Sequence, residues 1–186
     1  AGFGARTGGG PRAEPARRAG LRGGGGLTLA PAGRPWWGPP WGAWAELGEK
    51  LPNPPIAFGA NCGVGASDLM RTVLGFAATG TQRPIIAKGN AGIPKYHDGH
   101  IHYDGTPELM AEYAVLARDA GVRIIGGCCG TMPEHLRSMR AALESRPRGP
   151  VPGLEEIQAR LGAFSSASDG TGDDAGPKRE RRGRRG

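Results

Sequence analysis

Between Pro55 and Glu144 the chain alternates three times between a short apolar run and an amphipathic stretch, and this constrains the fold most. The apolar runs are Ile56-Ala57-Phe58-Gly59-Ala60, Pro84-Ile85-Ile86-Ala87-Lys88-Gly89-Asn90 and Val122-Arg123-Ile124-Ile125-Gly126. Each is short enough for a buried strand, rich in β-type residues and closed by a glycine-loosened turn. After the first, Ser67-Asp68 offers a helix cap and Leu69–Ala77 carries apolar residues at helical spacing until Thr79-Gly80. After the second comes a loop rich in Gly, Pro and His from Ala91 to Gly105. Thr106 then caps a helix with Pro107 at its first position and Glu108 in its first turn. Leu109, Met110, Tyr113, Ala114, Leu116 and Ala117 form its apolar face, and Gly121 ends it. After the third run, Thr131–His135 starts a helix that reaches about Glu144. Strand–helix units in series predict an α/β fold with parallel strands.

The flanks differ from this core. Residues 1–50 hold all four tryptophans and 14 of the 35 glycines, and no helical or strand period persists. They read as low-complexity sequence, disordered or translated in a non-native frame, since Gly, Arg, Pro, Ala and Trp are what GC-rich DNA yields out of frame. The Trp36-Trp37-Gly38-Pro39-Pro40-Trp41 stretch alternatively suits a Pro/aromatic docking motif. The domain is expected over residues 51–147. Residues 148–186 follow, with a short helix at Gly153–Leu161 and a basic disordered tail from Ser165.

Charge does not point to nucleic acid. The formal net charge is +7, but residues 51–150 carry ten Lys/Arg against eight Asp/Glu, so the excess sits in the flanks. No apolar run approaches the roughly 18–20 residues of a membrane span, and the N-terminus has no signal-like apolar stretch. Three cysteines make an odd count rather than a disulfide framework, which favours a reducing, cytoplasmic setting.

Those cysteines hold the chemistry. Cys62 follows the first apolar run, and Cys128-Cys129 follow the third, with residues 63–127 between them. All three therefore lie just past strand C-terminal ends, the face on which barrel enzymes build their sites. Neighbouring side chains on a strand point apart, but Gly126-Gly127 and Gly130 around the pair relax that limit. Both sulfurs could then meet one ion, with Cys62 as a third ligand and the fourth position open, as in catalytic zinc sites. A vicinal redox pair with a separate buried thiol, or three small core residues, fit the same spacing. Asn61 and Asn90 could orient a ligand or the backbone, and His135 could support the thiol turn. His97, His100 and His102 read as exposed loop histidines, and Lys88 reads equally as a site residue or a surface lysine.

Four stretches in order add a resemblance. Gly59-Ala60-Asn61-Cys62, Gly89-Asn90-Ala91-Gly92-Ile93-Pro94, Tyr103-Asp104-Gly105-Thr106-Pro107-Glu108 and Gly126-Gly127-Cys128-Cys129-Gly130-Thr131-Met132-Pro133-Glu134-His135 resemble the C-terminal part of the homocysteine S-methyltransferase domain, from about Pro55 to Leu143. Within it, the Lys88–Gly92 loop and Lys95-Tyr96-His97 look most like bacterial betaine–homocysteine methyltransferases. The resemblance implies the last three or so units of a (β/α)8 barrel and a zinc ion on Cys62, Cys128 and Cys129. It also implies homocysteine and a small methyl donor, expected to be betaine, as partners, with methionine as product. A methionine synthase module, an S-methylmethionine-using enzyme and an inactive fragment are the alternatives. The family's first five or so units have no counterpart recognised in residues 1–50, so the chain by itself is expected to be incomplete. Oligomeric state is left open.

Overall fold

A computed structural model describes residues 24–28, 50, 54–61 and 65–165. Its main sheet has four parallel strands in the order β1 (Gly24–Thr28), β2 (Ala57–Asn61), β3 (Ile85–Gly89) and β6 (Ile124–Gly127). A two-stranded antiparallel hairpin, β4 (Pro94–His97) and β5 (His100–Tyr103), is inserted after β3. Helices α1 (Ala66–Ala78), α2 (Pro107–Asp119) and α3 (Pro133–Ser145) follow β2, the hairpin and β6, and α4 (Leu154–Leu161) comes last. Parallel strands followed by helices are consecutive β/α units, as the alternation predicts.

Register fixes which side chains share a face. Phe58 pairs with Ile85, Ala60 with Ala87, and Ala87 with Ile125. This face takes the helices: the Phe58 ring meets Phe76 of α1 edge-on at 5.1 Å, and Tyr113 of α2 packs against Gly89. The opposite face carries the row Asn61, Lys88 and Gly126. Leu69, Met70, Val73 and Phe76 recur at helical spacing on α1 and are fully buried. They join Met110, Tyr113 and Leu116 of α2 and Ile157 and Leu161 of α4 in one core.

Several local expectations hold. Thr106 caps α2 by accepting the Leu109 N–H at 3.2 Å, with Pro107 at its first position. Thr79 closes α1, its hydroxyl donating to the Phe76 carbonyl, and Gly80 follows with φ of 69°. The short helix at the C-terminal end is present as Leu154–Leu161.

Three expectations need correcting. First, residues 1–50 were expected to lack strands, yet Gly24–Thr28 pairs in parallel with β2 from Gly24↔Ala57 to Thr28↔Asn61. A ladder is made by backbone groups that glycine supplies like any residue, whereas residue propensity counts glycine against strands. The sheet therefore has four described strands, not three. Second, the stretch from Ala91 to Gly105 is not a plain loop. Asp98-Gly99, with φ of 50° and 80°, turns β4 into β5, the pairing of residues that a two-residue hairpin turn favours. Third, α1 is capped by Gly65 and not by Ser67-Asp68, both of which lie buried inside the helix. The remainder of residues 1–53 and the basic tail from residue 166 lie outside the described residues.

Candidate functional site

The site is built where β3 and β6 end side by side. The Gly89↔Gly127 pair closes the ladder, and the Cys128 N–H extends it by donating to the Gly89 carbonyl at 2.7 Å. The chain then turns sharply. Gly130 has a φ of 73°, and a Cβ there would lie 2.3 Å from the Tyr103 ring, so only glycine fits this turn against the end of the hairpin.

Both polar backbone groups of Cys129 are held by the dipeptide after β3. Its N–H donates to Asn90 Oδ1 at 3.1 Å, and its carbonyl accepts the Ala91 N–H at 3.0 Å. Asn90 is only 1% exposed, so this amide is spent on the thiol turn rather than on solvent. Beneath it, the Tyr113 hydroxyl accepts the Gly89 N–H at 3.2 Å. Burial pushes that phenol above its ordinary range; the Gly89 bond opposes the shift and the charge of a Cys128 thiolate adds to it.

The two thiols converge. Cys128 is half-buried, Cys129 is exposed, and their sulfurs lie 4.0 Å apart. Zinc–sulfur bonds of about 2.3 Å at a tetrahedral angle place two thiolates about 3.8 Å apart, so this pair fits one shared zinc ion. Cys62, the expected third ligand, immediately follows Asn61 in sequence and lies outside the described residues. Among the described residues no group of three or more His, Cys, Asp or Glu is arranged to hold a metal.

The other candidates separate clearly. His97, His100 and His102 sit exposed on the hairpin. Lys88 lies in the row between Asn61 and Gly126, on the middle strand between the ends that lead to Cys62 and to Cys128. His135, 7% exposed in the first turn of α3, accepts the Met132 N–H on Nδ1 at 2.9 Å, and its Nε2 lies 2.9 Å from the Gly105 carbonyl. The sequence reading missed Tyr113 and Gly105 as parts of the site. Tyr113 fell in the apolar face of α2, and nothing in its spacing shows that its hydroxyl reaches Gly89.

The family model described as homocysteine S-methyltransferase matches residues 30–143, more than half of the 186-residue chain. The chain belongs to the homocysteine S-methyltransferase family. The match starts at residue 30 rather than near Pro55, so part of the stretch read as low-complexity lies inside it. Among the described residues, no helix is long and apolar enough to cross a membrane.

Proposed function

We propose that this protein methylates the sulfur of homocysteine at a zinc ion held by Cys62, Cys128 and Cys129, with betaine as donor, on part of a (β/α)8 barrel. The observation that carries this reading is the 4.0 Å convergence of the Cys128 and Cys129 sulfurs at the clamped end of β6, in a chain of this family. The family supports homocysteine as acceptor, and the resemblance of the Lys88–Gly92 and Lys95–His97 stretches to bacterial betaine–homocysteine methyltransferases supports betaine as donor.

Zinc bound there would supply positive charge that deprotonates a fourth thiol and a fixed place for it. The protein's own part is to prepare that place. Asn90 and Ala91 fix the Cys129 backbone, the Gly89 carbonyl fixes that of Cys128, and the thiols leave the turn on one side. An acceptor thiol loses its proton, because the thiolate is the attacking form. Its electron pair forms the new S–CH3 bond, and the N–CH3 bond pair of the quaternary donor stays with nitrogen, leaving a tertiary amine. Three thiols that must remain reduced suit a reducing compartment, and we place the protein in the cytoplasm.

The test supplies the zinc-loaded protein with homocysteine and methyl-deuterated betaine, then repeats the assay with S-methylmethionine. Deuterated methionine from betaine alone supports the proposal. Methionine from S-methylmethionine alone reassigns the donor, and no methionine from either source overturns the catalytic reading.

A further inference from the structure

The Cys129 peptide is held by more than the β3 turn. A chain of hydrogen bonds runs from it into the start of α3, through two segments distant in sequence, at Ala91 and Gly105. The Cys129 carbonyl accepts the Ala91 N–H at 3.0 Å, and the Ala91 carbonyl accepts the Gly105 N–H at 2.9 Å. The Gly105 carbonyl lies 2.9 Å from His135 Nε2. At the other side of the ring, Nδ1 faces the Met132 N–H, which can only donate. Nδ1 is thus the acceptor and Nε2 carries the proton, directed at Gly105. The approach is close: a Cβ at position 105 would lie 2.2 Å from the Ala91 carbonyl carbon, so the two backbones touch only because residue 105 is glycine.

We propose that His135 is a positioning residue for the thiol turn, holding the Cys129 peptide in place through Gly105 and Ala91. This rests on the zinc reading only for its consequence, tighter metal binding; the mechanical link stands by itself. A helix-capping role alone would use only Nδ1. The Gly105 bond uses the other nitrogen, and it joins α3, the hairpin's exit and the end of β3 around one thiol. Groups that orient metal ligands from behind typically change metal affinity 10–100-fold when removed.

The two roles come apart in His135→Gln. A glutamine at the third helical position accepts the N-cap N–H through its side-chain oxygen, so this variant keeps the cap while the ring that reaches Gly105 is gone. Amide hydrogen exchange would be followed by NMR in metal-free native protein, His135→Gln and His135→Ala, with zinc affinity measured separately by chelator competition. The expected result is that the Ala91, Gly105 and Cys129 amides exchange about tenfold faster or more in both variants, with zinc bound about tenfold more weakly. Native-like exchange at these amides in His135→Gln overturns the proposal, because a cap would then explain all that His135 does. If His135→Ala does not fold, His135→Gln alone decides. Cys129→Ser serves as control: equal zinc uptake by it and the native protein would sink the zinc reading while leaving the exchange result to judge His135.

Discussion

The buried amide oxygen of Asn90 accepts the backbone N–H of Cys129 across 39 positions of sequence, at 3.1 Å. This one bond ties the end of β3 to the turn that carries both thiols. Removing a partner so that a buried donor is orphaned costs about 1–3 kcal/mol. Asn90→Ala is therefore expected to lower stability by that amount, read as a lower denaturant midpoint. Asn90→Asp keeps an oxygen at the same place and should retain the turn, so its Cys129 amide should exchange more slowly than that of Asn90→Ala. Equal exchange in the two variants would show that the bond does not hold the turn.

The thiols make a second prediction. Purified protein is expected to hold about one zinc per chain, and Cys62→Ser, Cys128→Ser and Cys129→Ser should each lose most of it. Elemental analysis after gel filtration measures this directly. A Cys62→Ser variant with native zinc content would leave the vicinal pair as the whole site. A reversible disulfide between Cys128 and Cys129 with no bound metal would favour the redox reading instead.

The helices from Ala66 to Ser145 and the strands β2 and β3 were legible because burial writes itself into spacing: alanine, isoleucine and leucine recur with the period of the element that buries them. The thiol turn was legible through Gly130, which leaves regular β structure with φ of 73°, whereas Gly126 and Gly127, expected to loosen the backbone, stay in the β6 ladder. What could not be read was pairing at a distance. Asn90 and His135 were visible as candidates, but nothing local shows that one meets Cys129 and the other Gly105. β1 was lost because a glycine run pairs through backbone alone. The hairpin was lost for a different reason, since Asp98-Gly99 is a strong turn signal that histidines on both sides obscured.

The segment after α4 makes a contact that lies beyond the family match. Asp68, fully buried in the first turn of α1, pairs with Arg71 and accepts the Ser165 N–H at 3.0 Å, while Phe164 stacks under the Arg71 guanidinium at 4.2 Å. Removing one member of a buried ion pair leaves the other charge uncompensated, a loss of roughly 3–5 kcal/mol. Asp68→Ala is therefore expected to lower the thermal midpoint sharply. Phe164→Ala removes the cation–π contact, worth about 1 kcal/mol, together with the packing of the ring against the main core, and should still cost less than Asp68→Ala. Thermal unfolding of both variants tests this, and a Phe164→Ala effect as large as that of Asp68→Ala would show that packing of the segment, not the ion pair, dominates.

The last prediction concerns pH. Glu112 of α2 meets Arg146 after α3 and Arg160 of α4, the latter at 2.6 Å, and so joins three helical segments. Partial burial alone would raise its pKa, but the hydrogen bonds and charges of the two arginines outweigh burial and hold it below the ordinary glutamate value of 4.5. A carboxylate whose folded pKa is depressed stabilises the fold above its unfolded pKa, and that contribution disappears as pH falls through the folded value. Native protein should therefore be more stable than Glu112→Gln near pH 7. The gap should narrow steadily as pH drops below about 4.5. Denaturant midpoints of the two proteins measured from pH 7 to pH 3 give the comparison. A gap that stays constant across that range would mean that glutamine loses packing rather than charge, and that the arginines hold this corner together without the carboxylate.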